Sequence, residues 1–300
     1  MSQVALFGNV YITTPALQEL MKREIPVTWH SYGGWFLGHT QGVGHKNVEL
    51  RTAQYKASFD DKLCLRLAKG FVRAKIQNCR TLLRRNWREE KKPDALLDEL
   101  KRYADDCIKA KDLTELRGIE GIAAQRYFQN FGSLIKDAKD TETFRFEFMN
   151  RNRRPPTDPV NALLSYSYAI LTRAWSITLS GVGFDPYRGF YHQPRYGRPA
   201  LSLDLMEPFR PLIADSAVIQ AINNGEVRPT DFISAAGSIA LTDEGRKRFI
   251  GTLERRMGQE ITHPLFGYKV SYRRLFEIQA RLLGRFLLND IHDYTNFTTR

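Results

Sequence analysis

Apolar and polar positions change rhythm partway along this chain. Up to about residue 57 the apolar residues come in short runs, "QVALFG", "PVTWHSY" and, after a Gly-Gly turn, "GGWFLGH". Runs of that length bounded by Gly and Pro predict short strands. Between the first two, "TPALQELMKRE" predicts a short helix, with Thr14 as N-cap and Pro15 at the first helical position, where its missing N–H is not needed. From about Ser58 onward the period becomes helical. Leu63, Leu67, Phe71, Ile76, Cys79 and Leu83 recur at helical spacing in "FDDKLCLRLAKGFVRAKIQNCRTLLRR", which leaves the basic residues to the other faces.

"PDALLDELKRYADDCIKA" predicts a second amphipathic helix after Pro93. Asp112 and Glu115 form a capping-box pattern that opens a third, through "RGIEGIAAQRYFQNF". "DPVNALLSYSYAILTRAWSITLSGVG" begins at Asp158-Pro159 and ends at Gly181; it is apolar nearly all round, which predicts a helix in the middle of a helical body. Further helices are expected at about 203–223, 243–258 and 269–289. There is no internal repeat and no low-complexity linker. The pattern predicts an α+β chain: a small β-rich N-terminal domain over residues 1–57, then a large all-α domain over 58–300.

Charge narrows the partners. Lys and Arg number 45 against 33 Asp and Glu, a formal net charge of +12 that attracts polyanions, nucleic acid first and anionic membrane second. Basic residues interleave with aromatics in "LLRRNWREEKK", "FMNRNRRPP" and "VSYRRLFEIQARLLGRF", the composition that grips phosphates and stacks on bases. No run of about 20 apolar residues is present, so no membrane partner is expected, and "MSQVALFGNV" is not a secretory signal. Cys64, Cys79 and Cys107 lie far apart with no CxxC pair, which argues against zinc ribbons and disulfide frameworks and for reduced thiols in a cytoplasmic protein.

Three places carry candidate chemistry. Asp204 and Glu207, in "LSLDLMEPF", share one helix face beside a core; they either pair with Arg198 and Arg210 or serve a metal. His192 stands just upstream in a Gly- and Pro-punctuated loop, and a His with carboxylates is a reasonable ligand set for Mg²⁺ or Mn²⁺. Glu120 is flanked by Gly118 and Gly121 within a helix, where each Gly costs about 1 kcal/mol relative to Ala. That predicts a close approach to the backbone, either by a crossing helix or by whatever Glu120 is presented to.

These motifs, "RGIEGIAAQRYF", "NRNRRPPTDPVNALLSYSYAIL", "GFDPYRGFYH", "LSLDLMEPFRPLIAD" and "YRRLFEIQARLL", in this order, together with "GNVYITTPALQEL", "VELRTAQYKA" and "AKIQNCRTLLRR", resemble the CRISPR-associated integrase/endonuclease family, the catalytic subunit of spacer acquisition. The resemblance spans nearly the whole chain. It implies a β-sheet domain used for dimerisation ahead of a helical catalytic domain, and a divalent metal, Mg²⁺ or Mn²⁺, held by Glu120, His192 and Glu207. Asp204 falls on the family's other acidic position, as support or as a contact to a second metal. The implied reaction is attack by the 3′-hydroxyl of a spacer precursor on a repeat-end phosphodiester, with Arg153, Arg154 and Arg198 as candidate DNA contacts. The implied assembly pairs integrase dimers with a small companion subunit. Members of the family carry several strands ahead of the "LFGN" strand, so the sheet is expected to be incomplete: the chain is then the catalytic portion of a longer protein with a fused or adjacent N-terminal module, or a shortened variant, and residues 3–7 are an edge that a partner covers. A metal-dependent repair nuclease, or a DNA-binding scaffold without catalysis, would use the same residues.

Overall fold

The computed structural model describes residues 3–32, 36–40, 42, 47–136, 146–152, 155–264 and 266–299. At the N-terminus a parallel pair, β1 (Val4–Phe7) and β2 (Val27–His30), is joined by helix α1 (Thr14–Lys22); β3 (Phe36–Thr40) adds antiparallel to β2, in the order β1-β2-β3. The N-cap of α1 is Thr13, whose hydroxyl accepts from the Ala16 amide, one residue before the expected cap. Val27, Thr28 and His30 of the central strand are buried.

"VELRTAQYKA", inside the segment expected to be β-rich, forms helix α2 (Val48–Ala57). Only Leu50, Gln54 and Ala57 are buried on it, so its apolar stripe is too thin to stand out as a period. Asn47 caps it by accepting from the Leu50 amide. Gln54 is fully buried; its amide nitrogen donates to the carbonyls of Asp185 and Arg188 at 2.8 and 2.7 Å, and its oxygen accepts from the Asp185 amide at 2.9 Å. α2 therefore anchors the loop that carries His192.

The helical body is built on α3 (Asp61–Asn86) and α6 (Pro159–Val182). α3 packs against α4 (Asp94–Lys109), α5 (Leu113–Gln129) and residues 207–215. α6 begins at the Asp158 cap and ends at Val182, one residue beyond the expected Gly181; its C-cap is Gly183, whose φ of 109° is open to glycine and strained for other residues. Its Trp175 is fully buried against Phe209 and Phe276, with centroids 5.3 and 4.7 Å away. Burial of each such aromatic stabilises the fold by about 2–3 kcal/mol.

The helix expected at about 203–223 is broken into four parts: α7 (Ala200–Met206), a 3-10 turn (Glu207–Phe209), a π-helical turn (Arg210–Asp215) and α8 (Ser216–Asn223). Pro208 and Pro211 have no N–H to donate, so the regular ladder cannot run through them. The change of pitch sets the directions of Glu207 and Arg210, in line with the frequent use of π turns at functional sites.

Two hairpins interrupt the segment expected to be all-α: β4 (Phe232–Ala235) with β5 (Ser238–Leu241), and β6 (Glu260–Thr262) with β7 (Lys269–Ser271). The first turns at Ala236-Gly237, both with positive φ (49° and 75°), the backbone that matches strand twist. Without an Asn-Gly or Asp-Gly pair that turn gave no sequence signal. Helix α9 (Asp243–Gly258) lies between the hairpins, and α10 (Tyr272–Leu287) follows β7. A small sheet ahead of a largely helical body agrees with the α+β reading, and no helix among the described residues is long and apolar enough to cross a membrane.

The C-terminal residues return to α3. Asn78, fully buried, donates to the carbonyls of Pro208 and Phe297 at 2.8 and 3.0 Å and accepts from the Thr299 amide at 3.0 Å. One side chain thus ties the C-terminal segment to the turn that begins at Glu207. Asn78→Ala leaves buried carbonyls unpaired and should lower stability by about 2 kcal/mol in urea unfolding, with faster amide exchange at 297–299. Unchanged unfolding and unchanged exchange would show that this tie carries no weight.

Candidate active site

Asp204, on α7, is fully buried, and an isolated carboxylate there would be costly. Its oxygens are met by four donors from a single stretch of loop. Oδ2 accepts from the amides of Phe190 and Tyr191 at 2.6 and 3.0 Å, and Oδ1 from the His192 amide at 2.8 Å; His192 Nδ1 lies 2.7 Å from Oδ1. The approach is close enough to require glycine at 189, since a Cβ there would lie 2.7 Å from Asp204 Oδ2 and 2.8 Å from the Ala200 carbonyl carbon. Asp204 therefore folds the 189–192 loop onto α7, and it engages Nδ1 of His192, which leaves Nε2 for other work. Nε2 points towards Glu207, 4.0 Å from Oε1.

Glu207 is 3% exposed and Arg210 8%, and Arg210 Nη1 lies 3.1 Å from both Glu207 oxygens. Across the site, Glu120 comes from α5. Lys75, from the middle of α3, lies between the two glutamates: its Nζ is 2.5 Å from Glu120 Oε1 and 2.7 Å from Glu207 Oε2. The Tyr191 hydroxyl donates to Glu120 Oε2 at 2.5 Å. Arg210 also stacks over the Tyr168 ring, 4.1 Å from its centroid, and Tyr168 and Tyr127 both donate to the buried Asp215, at 2.6 and 2.8 Å.

Electrostatics follow from this arrangement. Burial pushes the Glu207 carboxyl up, but Arg210, Lys75 and His192 outweigh it and hold the group well below the usual carboxylate range. Burial would lower the Lys75 ammonium, yet Glu120 and Glu207 outweigh that too and raise it. Asp215 is pushed up, by burial above all. The three thiols are free and buried, and burial raises each.

Glu120, His192 and Glu207, from three separate segments, thus meet at one site, with Asp204 behind His192. Two carboxylates and a free imidazole nitrogen suit Mg²⁺ or Mn²⁺ as a donor set. Among the described residues no three such side chains yet converge as ligands; the gap between the glutamates holds the Lys75 ammonium. Of the two ion pairs expected for the acids, Arg210–Glu207 forms, whereas Arg198 is half-buried in a turn closed by its own amide onto the Arg195 carbonyl and pairs with neither acid. Arg153 and Arg154 lie outside the described residues. Among the described residues no helix crosses closely at Gly118 and Gly121: both are exposed, and a Cβ on either meets nothing within 4 Å. They leave a low surface beside Glu120, whose side chain is 19% exposed.

Sequence reasoning missed Lys75 and Tyr191. Lys75 falls four residues after Phe71 and four before Cys79, in the middle of the buried stripe rather than on an outer face. A base at a core position was the signal. Tyr191 gave none beyond its neighbour His192.

Two expectations follow. Asp204→Ala leaves three amides without an acceptor and should cost about 3 kcal/mol in urea unfolding, while Gly189→Ala should disturb the same loop; wild-type stability in both would remove Asp204 from this role. Because the Glu207 carboxyl is lowered on folding, its stabilisation is complete above about pH 4.3, the unfolded glutamate range, and is lost as pH falls through that range towards the folded value. Urea midpoints taken at falling pH should drop more steeply in the wild type than in Glu207→Gln; parallel curves would contradict the pairing.

Comparison with known proteins adds identity to this geometry. The family described as "CRISPR associated protein Cas1" matches residues 1–255. A Geobacter sulfurreducens protein named as a CRISPR-associated exonuclease Cas4/endonuclease Cas1 fusion is 61% identical over 303 residues, covering 100% of this chain and 54% of its own length. The chain therefore spans about half the length of that relative. A Thermus thermophilus CRISPR-associated endonuclease Cas1 is 36% identical over 300 residues, covering 99% of this chain and 86% of its own. Among solved structures, a chain of a Cas6-RT-Cas1–Cas2 complex superposes with a TM-score of 0.78 at 28% identity, covering 100% of this chain and 32% of that one. With a family match over most of its length and relatives this similar end to end, the chain belongs to the CRISPR-associated Cas1 family.

Proposed function

We propose that the chain is the catalytic part of a metal-dependent DNA integrase/endonuclease that inserts spacer DNA into a CRISPR array. A spacer-precursor 3′-hydroxyl attacks the phosphodiester at a repeat end, forms a new ester to that phosphorus and breaks the old one, whose oxygen leaves as the 3′-hydroxyl of the cut strand and takes up a proton. The observation that carries this reading is the meeting of Glu120, Glu207 and His192 Nε2 at a partly open site that also holds two cations, Lys75 and Arg210. Membership of the Cas1 family and the endonuclease names of its relatives support it.

Glu120, Glu207 and His192 would hold Mg²⁺ or Mn²⁺. Such an ion would polarise the scissile phosphate and would favour the ionised form of the attacking hydroxyl. The chain's own residues supply the rest. Asp204 fixes the His192 ring, so its Nε2 is aimed before substrate arrives. Arg210 keeps Glu207 ionised, and Tyr191 orients Glu120. Arg117, with its guanidinium 5.9 Å from the Tyr191 ring centroid, and the loop with Arg198 give positive charge for phosphates at the rim. Exposed Gly118 and Gly121 let a DNA backbone lie close beside Glu120.

Partners are carried by the same reading. DNA is the substrate, the N-terminal sheet is the dimer contact, and a small companion subunit bridges two dimers, supported by the relative found in a Cas2 complex. A nuclease module fused or adjacent on the N-terminal side is supported by the Cas4 fusion relative. The reaction belongs to the cytoplasm, where the array and reduced thiols reside.

Strand transfer into a plasmid or hairpin repeat, with the companion subunit and Mn²⁺ or Mg²⁺, tests this directly. Glu120→Gln, His192→Ala and Glu207→Gln should each lower joining by about a hundredfold or more while DNA binding persists, and binding should weaken steeply with salt. DNA cleavage without any joined product would favour a repair nuclease. Full joining by Glu120→Gln would overturn the site.

A further inference from the structure

One cation in this site has no part in holding a metal, yet it touches both glutamates that would. Lys75 comes from the middle of the longest core helix, is 8% exposed, and contacts Glu120 Oε1 and Glu207 Oε2 together. Arg210 separately takes both oxygens of Glu207. Two carboxylates and two cations make a neutral set, so a divalent ion arriving between the glutamates meets an ammonium already there. Like charges at that distance in a buried site repel strongly. Both cannot keep the same oxygens.

We propose that Lys75 is a built-in counter-ion that holds Glu120 and Glu207 in the metal-free protein and yields them when a divalent cation binds. The proposal rests on the reading of Glu120, His192 and Glu207 as metal holders. Geometry gives the ammonium somewhere to go. Beside it lies a cavity of about 20 Å³, the room one water needs, whose lining includes Lys75, Glu120, Arg210 and Asp215 as well as Ile76 and Phe128. The wall is mostly apolar, but it includes the Asp215 carboxylate and the Tyr127 and Tyr168 hydroxyls, oxygens that can accept from an ammonium. A lysine's flexible four-carbon stem allows a short shift without movement of α3. The arrangement holds the two glutamates together without metal, and it makes metal affinity the difference between two competing cations.

Mn²⁺ titration followed by the electron paramagnetic resonance of free Mn²⁺ reads the competition without any reaction. The wild type should bind Mn²⁺ at a site lost in Glu120→Gln. Lys75→Met should bind about tenfold more tightly than the wild type, within the range usual for coupled sites, and Lys75→Arg, which keeps the charge, should show no gain. Equal or weaker binding by Lys75→Met overturns the counter-ion proposal and leaves the metal reading intact. Absence of any Glu120-dependent binding in the wild type overturns both. If Lys75→Met is unfolded without metal, the proposal requires Mn²⁺ to restore its fold, because the ion replaces the missing positive charge; circular dichroism that stays unfolded with Mn²⁺ overturns it.

Discussion

Two glutamates brought together at the edge of a helical core repel each other, and the rest of the site is organised around that constraint. Glu207 lies almost wholly out of water and Glu120 only partly in it. Lys75 bridges the pair, Arg210 adds a second cation to Glu207, and Tyr191 donates to the far oxygen of Glu120. Each compensating group comes from a different part of the chain: α3, the π-helical turn and the 189–192 loop. Satisfying the carboxylates therefore locks α3, α5 and the 200–215 segment into one arrangement. A buried charge network of this kind contributes little net stability, but breaking one member of it is expensive, which gives the site a defined geometry.

The second buried acid solves a different problem. Asp204 is neutralised almost entirely by backbone amides, and the amides come from the residues just before and including His192. A loop that would otherwise sample many conformations is fixed by one carboxylate, and α2 fixes its earlier half through Gln54. The imidazole is held from behind, with its outer nitrogen on the side of Glu207. The two carboxylates of "DLMEPF" look alike in sequence and lie three residues apart, yet the pitch change imposed by Pro208 and Pro211 gives them separate surroundings.

Much of this was legible from sequence because its cause is local. The caps at Asp112 and Asp158 and the apolar stripe of α3 act within a few residues, and each predicted its helix. Glu120, His192, Asp204 and Glu207 stood out as acids and a His in unusual local settings. What escaped depends on contacts far apart in the chain. Lys75 reads as one base among many until Glu120 and Glu207 surround it. Helix α2 is held by the loop at 185–188 rather than by its own thin stripe. The hairpin at 232–241 turns on Ala236 with positive φ, a residue with no turn preference. Of the two readings of Gly118 and Gly121, the crossing helix is not found: among the described residues nothing comes within 4 Å of a Cβ at either.

The central claim is that Glu120, His192 and Glu207 form one divalent-metal centre, with Asp204 behind the His and Lys75 yielding its place. Anomalous scattering from crystals of the protein soaked in Mn²⁺ measures this most directly. The account predicts a single strong peak bonded to Glu120, Glu207 and His192 Nε2, with the Lys75 ammonium no longer bridging the glutamates. A peak held elsewhere, or an ion bound with Lys75 still in contact with both carboxylates, would contradict it.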